Sequence, residues 1–292
     1  MAEAVKFSPA SSFSLEELTS AFNLAFTGYY LPLLQTTESL HEMMRENEVS
    51  LSVSRVLSLN GSIQGIGLVA MRAKRGWVAG IGIGPRWRGE GYGRRLLACL
   101  LDSLRDAGAL SAQLEALAVN IPALALYHRM GFVDRRELRV YQGTLQNSSR
   151  ESVSLSPSGD GVRIRPMSVD AAMSATAPPR AAAPAWQREP RTLERMKRRP
   201  RAIGLWHGDQ FRAYLLFAHS QGGLSIFASE SFAVSPGQRA ADVRALLTHL
   251  THGDPDSMVR AVNVPPDDTL ADALDQLGCP VIIRQRELWR AL

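Results

Sequence analysis

Arg88-Gly89-Glu90-Gly91-Tyr92-Gly93-Arg94 is the stretch on which the reading of this chain turns. Before it, Trp77 to Ile83 is apolar, and Pro85 lacks the N–H that a sheet ladder needs, so a strand is expected to end near Gly84. After it, Leu96, Leu97, Leu100, Leu101 and Leu104 fall on one face of a helix. The glycines therefore stand at a helix entrance, where the first N–H groups lack helical partners and the macrodipole is positive. A diphosphate is the natural ligand of such a junction, and Gly91 and Gly93 allow close backbone approach.

Other glycine devices fit less well. A P-loop needs Gly-x-x-x-x-Gly-Lys-Ser/Thr, but the match from Gly84 reaches Gly89 and continues Glu90-Gly91. A dinucleotide fingerprint needs a third glycine where Arg94 stands. A ligand-free surface turn is the remaining alternative.

A second segment adds to the first. After another expected strand, Gln113 to Val119, the chain reads Asn120-Ile-Pro-Ala123-Leu-Ala-Leu126-Tyr127-His-Arg-Met-Gly131-Phe132. Asn120 is a good N-cap, Pro122 suits a first helical turn, and Gly131 suits the left-handed position after a short helix. Tyr127 then lies about one turn before the helix ends, where the negative end of the dipole disfavours a phenolate and preserves a proton donor. A core aromatic with a satisfied hydroxyl is the alternative.

Together, Arg88-x-x-Gly91-x-Gly93 and Asn120-x-x-Ala123-x-x-Leu126-Tyr127-x-x-x-Gly131-Phe132 resemble the two signatures of the GCN5-related N-acetyltransferases. The resemblance implies an α/β (α+β) fold, a mixed and mostly antiparallel sheet flanked by helices, in which two central parallel strands splay apart to admit acetyl-CoA. It implies that Ile81, Gly82 and Ile83 hold the pantetheine arm and thioester through their backbone. It implies that Arg88, Gly89, Glu90, Gly91, Tyr92, Gly93 and Arg94 hold the diphosphate, with Asn120 and Tyr127 completing the cosubstrate site. The implied reaction is direct attack of a primary amine on the acetyl group, with Tyr127 as general acid. Family members often carry a glutamate on the strand before the loop, and Trp77 to Gly84 has none. Glu115 on the following strand is the nearest carboxylate, either a base acting through a water or an ion-pair residue. Tyr29, Tyr30 and Pro32 stand where family members close over the acceptor, and either line that pocket or pack on the sheet.

The rest of the chain bounds this reading. Its 292 residues allow one large domain or two small ones, and a net charge of +5 is too small to argue nucleic-acid binding. Cys99 and Cys279 make no disulfide framework, the N-terminus has no apolar signal core, and no run approaches a membrane span, so a cytoplasmic protein is expected. Residues 144–161 are polar and read as a linker. The second half of the chain repeats the first weakly: Val5 to Pro9 is echoed by Val162 to Pro166, Asn60-Gly61 by His207-Gly208, Ile81 to Pro85 by Phe232 to Pro236, and Asn120 with Gly131 by Asn263 with Gly278.

Two tandem acetyltransferase-fold domains are therefore expected: a catalytic domain at 1–143 and a degenerate copy at 162–292. In the copy Gly237-Gln238-Arg239-Ala240-Ala241-Asp242 lacks the loop glycines and sets a carboxylate where phosphates would sit, and Leu274 replaces Tyr127. The basic run Arg188 to Arg201 reads as a solvated helix face, and His249, His252 and Asp254 make no case for a metal. A small-molecule amine or a peptide remains open as acceptor, the chain is expected as monomer or homodimer, and a non-enzymatic acyl-CoA sensor is the competing reading.

Overall fold

The computed structural model describes residues 4–146, 161–175, 183–220, 223–254 and 256–292. Most of the expected linker lies outside them. The chain packs into two units: Met1–Arg136 with Arg286–Leu292, and Glu137–Gln285.

In unit one, β1 (Val5–Pro9), β2 (Arg55–Leu59), β3 (Ser62–Arg72) and β4 (Arg75–Ile83) pair antiparallel in chain order, and β5 (Ser111–Leu117) joins β4 in parallel. Helices α1 (Leu15–Ala25) and α2 (Thr37–Glu46) share a core with the sheet through Leu18, Phe22, Leu40, Ile66 and Leu68. A capping box starts α1: Ser14 Oγ accepts from Glu17 N–H and the Glu17 carboxylate accepts from Ser14 N–H at 2.7 Å. Helices α3 (Tyr92–Asp106) and α4 (Ile121–Arg129) belong to a second core built from Leu96, Leu97, Leu100, Leu114 and Phe132. Each buried leucine of α3 stabilises by about 1.5–3 kcal/mol, which fixes the rotation of that helix and so the direction its first turn faces.

The chain's last segment completes this unit. Strand β6 (Val133–Gly143) starts in it, and β12 (Val281–Ala291) ends in it. Glu287 is fully buried and accepts from Arg136 Nε at 2.7 Å and Nη2 at 3.2 Å, while Leu292 N–H donates to Leu110 O at 3.0 Å. A buried carboxylate needs such a partner, so Glu287 ties this segment to unit one. The packing thus divides the chain differently from the expected 1–143 and 162–292.

Unit two contains the remainder of β6 with β7 (Val162–Met167), α5 (Val169–Ser174), α6 (Pro190–Arg195), β8 (Arg201–His207), β9 (Gln210–Ser220), β10 (Gly223–Ser231), α7 (Pro236–Thr251), β11 (Met258–Val264) and α8 (Thr269–Gln276). It repeats the order of unit one: β7 to β10 are antiparallel neighbours, and β11 is parallel to β10. Both units are mixed sheets flanked by helices, the fold class read from the sequence.

Candidate active site

Strands β4 and β5 stay in register for four pairs, from Arg75 with Ser111 to Val78 with Leu114, and then part. A bulge at Ala79 immediately follows the last pair, where Leu68 faces Gly80 and Val69 faces Val78. Beyond it, Gly80 to Ile83 keep their partners on β3 but none on β5, leaving one backbone edge turned to the gap. Here Gly82 serves the protein itself: a Cβ on it would meet Ala25 O of α1 at 2.9 Å. Close packing of α1 on β4 by itself demands that glycine.

The loop after β4 takes the expected form. Gly89 and Gly91 have φ of +86° and +81°, and a Cβ on either would meet nothing within 4 Å. Conformation requires both glycines, and open space lies over them. Gly91 is the N-cap of α3 and offers no side chain to its first turn, whose helical bonding begins with Arg95 N–H donating to Gly91 O at 3.2 Å. Gly93 and Arg94 thus sit in a first turn whose amides have no helical acceptor. Arg86, Arg94 and Arg95 are near, while Glu90 is exposed and Tyr92 is buried against Trp87, ring centroids 5.9 Å apart.

Arg88 acts differently from the expected phosphate ligand. Its guanidinium donates to Ile83 O at 3.0 Å, Ala25 O at 3.1 Å and Thr27 O at 2.7 Å, and its own N–H donates to Pro85 O. The planar fork matches carbonyls left over at the end of α1, where the helix dipole is negative. Arg88 is a latch between the glycine loop and the segment after α1.

Tyr127, on α4, is 7% exposed and packs edge-on against Phe132 at 6.1 Å. Burial, and secondarily the neighbouring Tyr29, push its hydroxyl well above the usual phenol range, so burial rather than the helix dipole holds the proton. Among the described residues none takes a hydrogen bond from that hydroxyl. Tyr29, half-buried, has its hydroxyl beside the Asn120 side chain, and burial raises it too. Asn120 also caps α4, its Oδ1 accepting from Ala123 N–H at 3.3 Å. A Cβ on Gly93 would lie 3.7 Å from Leu126 and 3.9 Å from Ile83. The first turn of α3, the end of β4, α4 and Tyr29 therefore meet at one place.

Glu115 stands just past the last β4–β5 pair, and its Oε2 accepts from the Trp77 indole at 2.7 Å. Among the described residues no cluster of His, Cys, Asp and Glu could hold a metal, and no helix is long and apolar enough to cross a membrane.

Comparison with known proteins agrees with this arrangement. The pattern of the Acetyltransferase (GNAT) family matches residues 15–132. An IAA acetyltransferase of Azospirillum brasilense is 31% identical over 112 residues, which cover 36% of this chain and 71% of the relative. The chain belongs to the GNAT acetyltransferase family. This GNAT is also 25% identical over 134 residues to the [Ribosomal protein bS18]-alanine N-acetyltransferase of Escherichia coli, spanning 46% of the chain and 86% of that enzyme. Among solved structures, a tandem GNAT protein from the clavulanic acid biosynthesis pathway matches 99% of the chain and 98% of its own with a TM-score of 0.68 at 14% identity. A GCN5-related N-acetyltransferase from Sphaerobacter thermophilus matches 99% and 95% with a TM-score of 0.69, also at 14% identity. The tandem fold thus covers both units, whereas the family pattern lies within the first.

The cosubstrate of a GNAT N-acetyltransferase is acetyl-CoA and its acceptors are amines. Unit one fits acetyl-CoA in three respects: positive-φ glycines under open space, an uncapped helix entrance, and a strand edge released from its neighbour.

Unit two shares the last of these and departs at the first two. Strands β10 and β11 also hold four pairs, from Gly223 with Met258 to Ile226 with Ala261, and a bulge at Phe227 follows. That register sets Ser231, not Val234, level with Ile83, so the echo read between Ile81 and Phe232 is offset. There α7 begins at Pro236 under a Ser235 cap, without a glycine loop. Asp242 does not face a phosphate site: it is 5% exposed and accepts from Ser231 Oγ at 2.7 Å, Gln238 Nε2 at 3.0 Å and Arg212 Nη2 at 3.0 Å.

Arg188, expected on a solvated face, is 6% exposed and donates to Val262 O, beyond the last β10–β11 pair. Asn263 has φ of +55° and bonds Gln187, so it does not repeat the capping role of Asn120; Asp268 caps α8 instead. Leu274 does repeat the place of Tyr127. Phe132 N–H donates to Tyr127 O and Cys279 N–H to Leu274 O, each at 3.0 Å, and Gly131 and Gly278 both have positive φ.

Proposed function

We propose that unit one transfers the acetyl group of acetyl-CoA to a primary amine by direct attack, and that unit two takes no part in the chemistry. Acetyl-CoA supplies an activated thioester carbonyl. The amides of Gly91, Gly93 and Arg94, with the positive end of α3, bind its diphosphate. The free edge of β4 at Ile81 to Ile83 orients the pantetheine and offers an N–H to the carbonyl oxygen, where negative charge develops. Arg88 sets the loop, and Asn120 fixes the start of α4.

Tyr127 holds a proton where a leaving thiolate requires one. The observation that carries the reading is this phenol: buried, kept protonated, and without a hydrogen-bond acceptor among the described residues. That hydroxyl is not among the sealed side-chain atoms that lack a partner, so the buried ring brings its oxygen to a surface that a ligand can reach. Glu115 is assigned a positioning role, because one of its oxygens is already taken by the Trp77 indole. Without a carboxylate on β4, the acceptor loses its proton to solvent, helped by apolar surroundings that favour a neutral amine.

Release of free thiol from acetyl-CoA, followed across a panel of primary amines, tests the assignment. Amine-dependent release in the full chain that collapses in Tyr127→Phe supports it. Equal rates in the two proteins remove Tyr127 from the chemistry, and acetyl-CoA binding without release under any amine favours a sensor.

A further inference from the structure

Resting on that reading of unit one, we propose that Phe22 and Phe26 of α1 set the length of the acyl group. Their rings close the inner end of the cosubstrate cleft over Gly80, so that acetyl fits and butyryl or longer chains are refused.

The inner end of the cleft is fixed by the sheet itself. Strands β4 and β5 are in register up to Val78 with Leu114, so a group lying along the released edge of β4 stops at that pair. Gly80 is the first residue on this edge after the bulge. The diphosphate site lies at the other end, beyond Gly84. A cosubstrate running back along Ile83, Gly82 and Ile81 therefore brings its acyl carbons last, to Gly80.

Gly80 is also the one glycine of β4 that the fold does not require. Of the three in this strand, a Cβ on Gly76 would press on Leu104 at 2.8 Å, and one on Gly82 on Ala25 O at 2.9 Å. Gly80 has no positive φ, and its Cβ would meet nothing closer than Phe22 Cε2 and Phe26 Cζ, both at 3.6 Å. That is an ordinary contact distance between carbons. Glycine weakens a strand, so one demanded by neither packing nor conformation points to a ligand that comes close. The space it leaves beneath the two rings is the size of a methyl group.

The rings are held in place. Phe22 is 7% exposed and shares a core with Leu18, Leu40 and Ile66. Phe26 lies between Phe22, with centroids 4.5 Å apart, and Tyr29, edge-on at 5.4 Å. A ring supported on both sides does not swing aside for a longer chain without losing those contacts.

Calorimetry of the full chain with CoA and with acetyl-, propionyl-, butyryl- and hexanoyl-CoA, and thiol release from the four thioesters across the same amine panel, test this in the wild type, Gly80→Ala and Phe26→Ala. Gly80→Ala adds its methyl group at an ordinary contact distance, so folding is retained. The wild type should use butyryl- and hexanoyl-CoA with a kcat/KM about 100-fold or more below that for acetyl-CoA. Gly80→Ala fills the space, so acetyl-CoA should bind about 10-fold more weakly while CoA, which has no acyl group, binds as before. Phe26→Ala should raise kcat/KM for butyryl-CoA about 10-fold relative to acetyl-CoA. A residue that served packing alone would move CoA and every acyl-CoA alike. If the wild type uses hexanoyl-CoA as well as acetyl-CoA, or if either variant shifts CoA and the acyl-CoAs equally, the inference is overturned while the acetyltransferase reading stands. A full chain that binds no acetyl-CoA overturns both.

Discussion

In both units the central parallel strands separate after four pairs and a bulge, yet the separations meet different ends. In unit one the separated edge of β4 leads into glycines at positive φ, and α3 starts without a cap. In unit two the buried Arg188 reaches Val262 past the separation, α7 starts under a serine and proline, and Asp242 is fastened by Arg212, Ser231 and Gln238. The fold therefore supplies the cleft geometry wherever it occurs, and local residues decide whether that geometry receives a ligand or is satisfied from within. Leu274 illustrates this closely, since it sits on the same helix-ending hydrogen bonds as Tyr127 but brings no proton.

This contrast can be tested from its largest effect to its smallest. Glu287→Ala removes a fully buried carboxylate from unit one and should lower that unit's stability by roughly 3–5 kcal/mol, read as an early transition in thermal or urea unfolding. A loss confined to unit two would reassign the last segment. Gly91→Val forces a β-branched residue to φ of +81° and misdirects at least two amides, costing about 3 kcal/mol of acetyl-CoA binding by calorimetry. Asp242→Gly should create no acetyl-CoA affinity in unit two, because the helix entrance there is already capped.

Tyr127→Phe should lower kcat about 100-fold, equivalent to about 2.7 kcal/mol, with KM for acetyl-CoA nearly unchanged. Because burial raises that phenol, its proton is retained throughout neutral and mildly alkaline conditions, and kcat/KM should show no falling limb from it below about pH 10.

The smallest effect belongs to unit two, where burial pushes the Cys279 thiol from 9.0 up to about 11. Above pH 9 the unfolded chain gives up that proton while the folded one keeps it, so folding stability is complete below that pH and declines toward pH 11. The urea midpoint of unit two should fall over that window, and less so in Cys279→Ala.

The parts of the molecule readable in the sequence are those whose causes are local. Pro85 ends β4, Gly89 and Gly91 occupy positive φ, Asn120 caps α4 and Gly131 closes it, each acting within a few residues of itself. The parts that were not readable depend on distant partners. Arg88 looks like a phosphate ligand until the carbonyls of Ala25 and Thr27 come within reach of it. Asp242 looks repulsive until Arg212 arrives from β9, and Arg188 looks solvated until β11 lies beside it. The affiliation of Arg286–Leu292 with unit one has no periodicity or turn signal to announce it. Its one hint is Glu287 amid apolar Leu288 and Trp289, a charge placed where only a partner from another strand makes burial tolerable.

That affiliation bears on biosynthesis. Domains ordinarily fold in order as they leave the ribosome, the earlier one first. Here Arg286–Leu292 emerges only after the whole of Glu137–Gln285 has been translated, so the half bearing Tyr127 waits for its final strand until the other half exists. Nascent chains arrested before residue 286 should therefore be protease-sensitive in their first half and catalytically silent, even though every residue assigned to the chemistry has already been made.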